Sequence, residues 1–140
     1  MPPITRWMLK TSLGYFLLAL IIGLLQAAAP YFDGRGLTAF FSQLEVVRIH
    51  VLVIGWITLL IFGVAIWMFP KYSQQLPRGH AWLGWAVYWL LNAGLVLRII
   101  GESANLPGTV FGWMLVASAL LLWLAGVAFL VDAWPRIKER

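Results

Sequence analysis

The stretch RIHVLVIGWITLLIFGVAIWMFP, Arg48 to Pro70, decides the fold. From Ile49 to Pro70 it carries no formal charge, and about 20 residues of helix cross a hydrocarbon core about 30 Å thick, so this run suffices for one passage through a bilayer. Three further uncharged runs have the same character: Thr11 to Phe32, Ala81 to Leu97 and Ser103 to Val131, the Ala81 run needing help from its flanks. Composition agrees, since a chain of 140 residues with 62% hydrophobic residues, 11% charged residues and a mean hydropathy of +0.87 lies outside the range of soluble domains. The expected fold is therefore all-α: a single integral-membrane four-helix bundle over residues 1–140, with helices at about 9–29, 46–69, 80–100 and 107–132. So little chain remains outside the bilayer that a separate soluble domain and an active site built on long soluble loops are both excluded.

The connections carry turn signals. Helix one is expected to end near Pro30, and the segment PYFDGRGLTAFFSQLE offers Asp33, Gly34 and Gly36 and then an amphipathic piece suited to the interface. PKYSQQLPRG, bounded by Pro70 and Pro77, forms the next turn, and GESANLPG the last. With the N-terminus cytoplasmic, the inner segments hold Arg6, Lys10, Lys71, Arg78, Arg136, Lys138 and Arg140, and the outer ones Arg35, Arg48 and Arg98. This asymmetry predicts that both termini face the cytoplasm of a multi-pass protein of the inner (plasma) membrane. The formal charge of +5 is read as that orientation signal and not as a nucleic-acid footprint, because no basic stripe accompanies it. Arg6, Lys10 and the small-residue stretch LLQAAAP resemble a signal peptide, but the apolar run is long for one and cleavage would leave an odd number of spans, so helix one is kept. The chain has no cysteine, which removes disulfides, thiolate metal sites and haem attached through a CxxCH motif. Any haem is then non-covalent.

Arg48 and His50 stand at the outer end of helix two, where charge and imidazole are both costly. Two residues apart on a helix, they are separated by about 200° and serve different crevices. On the His50 side lie Ile54, Ile57, Ile61 and Met68; nearer Arg48 lie Gly55 and Gly63, which permit close approach of another helix or of a flat ligand. Neutral imidazole beside an apolar crevice suits axial ligation of haem iron. The alternative is an interfacial histidine hydrogen-bonded to a backbone carbonyl.

Helix two also carries a family resemblance. Its Gly55, Trp56, Gly63, Pro70 and Lys71 are similar to the second helix of small relatives of the haem-copper oxidase catalytic subunit, where H-x-H precedes Gly-Trp, a glycine and a closing Pro-Lys or Pro-Arg. His50 falls on the second histidine of that pattern, and Arg48 stands where the first would be. YWLLNAGLVLRIIGE, Tyr88 to Glu102, resembles the following helix, so the likeness covers roughly residues 48–102. It implies a b-type haem with His50 as axial ligand, Gly55 beside the cofactor, and Arg98 and Arg48 as partners of the propionates. It implies assembly too: that catalytic subunit has twelve helices in three sets of four, and this chain looks like one set, so a homotrimer ring is expected in preference to a dimer with haem between two His50 side chains.

Other residues have plainer readings. His80 opens helix three at the opposite surface from His50 and cannot share a metal with it. Arg98 has Glu102 one turn later, so it is either a snorkelling arginine paired to Glu102 or a propionate partner. Trp82, Trp85 and Trp89 form a packing or lipid-facing stripe, and Asn92 in mid-membrane is expected to bond a neighbouring helix. No phosphate loop, HExxH motif or acidic metal cluster occurs in the sequence. The expected function is a haem-binding membrane redox or electron-transfer protein, cytochrome b-like and short of a complete oxygen reductase, which needs more histidines. Its rivals are a haem-free membrane structural or assembly partner, and a gas-binding or copper-handling protein, the last weakened by the absence of thiols and of a Met-rich motif.

Overall fold

The computed structural model describes residues 1–32, 36–70, 80–104 and 110–137. Four of its helices are long and apolar enough to span a membrane: α1 (Pro3–Phe32), α3 (Glu45–Met68), α4 (Ala81–Ala104) and α5 (Val110–Ala133), the last finishing in a 3₁₀ turn at Trp134–Arg136. The short helix α2 (Gly36–Gln43) precedes α3, where the amphipathic piece was expected, and Gln26 Nε2 donates to the Phe41 carbonyl at 2.8 Å to tie it to α1. The chain is thus an all-helical, multi-pass membrane protein. Lys71, Arg78, Gly108, Lys138, Arg140 and Arg35 lie outside the described residues.

Most helix limits fall close to the expected ones, with two differences that have local causes. α1 starts at Pro3 instead of residue 9, because proline fits the first helical turn, where its missing N–H is not needed, and the polar Thr5, Arg6 and Lys10 extend the helix beyond the apolar run. It also runs through Pro30 to Phe32, since a proline in the last turn removes only one hydrogen bond. The second difference lies within α3, whose residues Val51–Thr58 form a π-helical segment. Val47, Val51, Gly55, Leu59 and Gly63 are all buried at intervals of four. In an ideal α-helix each four-residue step overshoots a full turn by about 40°, so such a stripe would drift by about 160° over that length. Wider π turns absorb the drift and keep one face inward. Thr58 Oγ1 donates to the Val53 carbonyl, five residues back, at 2.8 Å.

Packing pairs the helices as two hairpins, α1 with α3 and α4 with α5, which meet less extensively along α4. α4 is the central element: its most apolar window is 33% buried, against 11% for α5. Two glycines set the closest approaches of α3 to its neighbours. A Cβ on Gly55 would lie 2.7 Å from Tyr15 Cγ and 2.9 Å from Leu95 Cδ2, and one on Gly63 would lie 2.9 Å from Met8 Cβ. Polar bonds bind the spans where water is absent. Thr11 Oγ1 meets Tyr88 Oη at 3.0 Å, Tyr15 Oη donates to Asn92 Oδ1 at 2.8 Å, and Ser118 Oγ donates to the Gly94 carbonyl at 2.7 Å. Asn92 therefore bonds a neighbouring helix, as its mid-membrane position led one to expect. Of the tryptophan stripe, Trp82 and Trp89 are exposed, while Trp85 packs against the core.

Candidate functional site

The inward stripe of α4 runs through Gly84, Val87, Leu91 and Leu95, and its continuation by three and seven residues past Leu95 brings Arg98 and Glu102 onto the same side. Ionisable groups on a half-buried stripe persist when they are paired. Arg98 Nε donates to Glu102 Oε1 at 3.2 Å, and the other carboxylate oxygen, Oε2, lies 3.1 Å from His50 Nδ1 on α3. The same Nδ1 lies 2.9 Å from the Val46 carbonyl. Arg98, Glu102 and His50 thus form one chain of contacts joining α4 to α3, in which Glu102 is the hub.

This arrangement fixes the histidine chemically. A carbonyl oxygen and a carboxylate oxygen both accept, so Nδ1 carries the hydrogen and donates to them, and in the neutral ring the lone pair then sits on Nε2. The His50 side chain is 26% exposed, and Val53 and Ile57, further along α3, are exposed as well. A neutral imidazole held by its Nδ1–H, with Nε2 left for a ligand, is the state in which histidine ligates a metal.

The remaining expected residues are placed elsewhere. Arg48 turns away from His50, as the 200° separation requires, and pairs with Glu45, Nη2 to Oε1 at 2.6 Å and Nε to Oε2 at 3.2 Å. Its guanidinium lies over α1, where a Cβ on Gly23 would be 3.7 Å from Nη1. Gly55 is buried, and the space before it is taken by Tyr15 and Leu95; the close approach there is between helices of the chain and leaves no gap for a flat ligand. His50 and Arg98 are brought together, whereas Arg48 and Gly55 are not part of that cluster. Among the described residues no group of three or more His, Asp or Glu side chains could hold a metal ion. A site made wholly of protein ligands therefore has no candidate there, whereas an iron already held by a porphyrin asks for only one or two axial ligands.

Sequence reasoning missed a second charged cluster at the other end of the bundle. Arg136, whose side chain is 1% exposed, donates from Nη1 to Asp132 Oδ2 at 3.2 Å, from Nη2 to the Ile66 carbonyl at 3.0 Å and from Nε to the Pro70 carbonyl at 3.2 Å. Those carbonyls belong to the end of α3, which lacks further helical turns to satisfy them, so the guanidinium serves as a cap. The i,i+4 spacing of Asp132 and Arg136 was visible in the sequence; their reach across to α3 was not. His80 and Asp132 line a cavity of about 240 Å³ beside this cluster, with Ile4, Ile66 and Trp85, well removed from His50.

No family model matches the chain, and no curated protein or solved structure matches it either.

Proposed function

We propose that the chain is a haem-binding membrane redox protein of the electron-transfer type, with His50 Nε2 as an axial ligand of a non-covalent b-type haem. The observation that carries this reading is the pair of acceptors at His50 Nδ1, Glu102 Oε2 at 3.1 Å and the Val46 carbonyl at 2.9 Å. They hold the ring in one tautomer, with its ligating nitrogen unengaged among the described residues. Haem, when bound, supplies a one-electron couple; the chain supplies the ligand, its orientation and an apolar surround that limits water. Glu102 anchors Nδ1–H and fixes the orientation of the ring. Arg98 spends only its Nε on Glu102, so its terminal guanidinium nitrogens, without partners among the described residues, suit a propionate. Arg48, already paired to Glu45, is proposed only as a more distant positive charge. Two further parts belong to the proposal: both termini in the cytoplasm of the plasma membrane, from the asymmetry of lysine and arginine, and, from the resemblance to haem-copper oxidases, a homotrimer in which a neighbouring copy completes the wall beside His50.

A second reading rests on the Val46 bond. A histidine bonded to the carbonyl four residues back and to Glu102 is also what a haem-free structural or assembly protein would use to staple α3 to α4. Absorption spectra of the purified protein, oxidised and reduced, separate the two. The haem reading expects a Soret band that His50→Ala removes or strongly shifts, that His80→Ala leaves nearly unchanged, and whose midpoint potential moves in Glu102→Gln. A wild-type protein without a Soret band, whose His50→Ala variant merely melts earlier, leaves the staple as its role.

A further inference from the structure

The first turns of α1 present two unlike faces. Pro2, Ile4, Thr5 and Met8 are buried, with Met8 filling the niche at Gly63 and Ile4 facing Gly84, so the segment is locked onto α3 and α4. Pro3, Arg6, Trp7 and Lys10 occupy the opposite face and line a cleft of about 300 Å³. The spacing of these four, at i, i+3, i+4 and i+7, gathers two cations around one indole on a rigid support.

Charge accounting separates this cleft from the rest of the molecule. Among the described residues the carboxylates are Glu45, Glu102 and Asp132, and each has its own arginine: Arg48, Arg98 and Arg136. Arg6 and Lys10 are the described cations of the Lys/Arg set left without an acid. They stand at the end of a membrane-spanning helix, with Trp7 56% exposed between them, at the depth where indoles settle and lipid phosphates lie.

We infer that Arg6, Trp7 and Lys10 form a binding site for the phosphate headgroup of an anionic membrane phospholipid. The two cations complement the phosphate from neighbouring turns, while the indole packs on the glycerol and upper acyl region. Lipid supplies the counter-charge that the described residues lack at this end. The site is independent of the haem proposal, and nothing at His50 bears on it.

The test is native mass spectrometry of the full chain, released from detergent micelles holding phosphatidylglycerol and phosphatidylcholine in equal amounts. The wild type is expected to retain phosphatidylglycerol with roughly tenfold preference. Arg6→Gln/Lys10→Gln should lose most of that preference at unchanged helical circular dichroism, and the charge-conserving Arg6→Lys/Lys10→Arg should keep it. Equal retention of the two lipids by the wild type, or an undiminished preference in the neutral variant, overturns the assignment. So does complete displacement of the lipid by excess inorganic phosphate, which would make the site one for free anions. Should the neutral variant fail to fold, the wild-type lipid preference, together with the single Lys10→Gln variant, still decides the matter.

Discussion

At the scale of single residues, the molecule separates groups that tolerate change from groups that do not. A methyl group added at Gly55 meets Tyr15 Cγ at 2.7 Å and Leu95 Cδ2 at 2.9 Å, whereas one added at Gly112 meets nothing within 4 Å. Gly55→Ala should therefore destabilise the protein by about 1–3 kcal/mol through overpacking. Gly112→Ala should be neutral or slightly favourable, as expected of an open helical glycine. Thermal melts in one detergent compare them directly, and equal melting temperatures would contradict the packing. Two of the ion pairs offer a similar contrast. Arg136→Ala leaves the Asp132 carboxylate buried without its partner and the Ile66 carbonyl without its donor, a loss on the order of 3–5 kcal/mol. Arg48→Ala breaks a pair whose side chains are 30% and 47% exposed, and should cost less than about 1 kcal/mol. A chemical-denaturation series ranks the two, and a larger loss for Arg48→Ala would reverse the argument. Sequence alone gave Asp132 and Arg136 no such weight, because spacing along a helix reports neighbours on that helix and says nothing of carbonyls on another.

At the scale of elements, hydropathy carried most of the information, since a chain in lipid must satisfy its backbone within each span and so forms helices wherever a run is long enough. The four spans and the placement of His50 and His80 at opposite ends were legible for that reason. The π-helical segment was not. A reading at 100° per residue assigns Gly55 and Gly63 to the Arg48 side and leaves them available to a ligand, while the repeat of four from Val47 to Gly63 was the overlooked signal that they share one inward face. The pair Arg98 and Glu102 was legible as an i,i+4 contact, but its extension to His50 depends on the pitch between α3 and α4 and appears only in three dimensions. Orientation is a property of these elements that labelling can measure. Because the chain has no cysteine, Ser42→Cys and Ser73→Cys are unique labels. With the termini inside, an impermeant maleimide applied to intact cells should label residue 42 and spare residue 73. Labelling of residue 73 alone inverts the topology, and labelling of both breaks the alternation of spans.

At the scale of the whole molecule, the question is what covers the faces that the chain leaves open. α4 is shielded by its neighbours, but α5 buries only 11% of its most apolar window and α1 17%, so most of both helices faces outward. Lipid covers such faces without difficulty, and apolar exposure in a bilayer is not by itself a reason to associate. The reason for association in the proposed function is the cofactor. His50 stands on a face of α3 where Val53 and Ile57 are exposed, and a macrocycle ligated there would have protein on one side only. In the proposed assembly a second chain would supply the missing wall. Rotational symmetry allows each α3 to turn His50 toward one interface while Arg48, on the other side of the helix, faces α1. Three copies would then close a ring of twelve spans with up to three haems at equivalent interfaces, while two copies would place one haem between paired His50 side chains. Native mass spectrometry in mild detergent distinguishes them by mass and haem count. The trimer predicts three chains with up to three haems and loss of haem, without loss of folded chain, when His50 is replaced by alanine. Two chains with one haem would substitute the bis-histidine arrangement, and a haem-loaded single chain would remove the need for any neighbour.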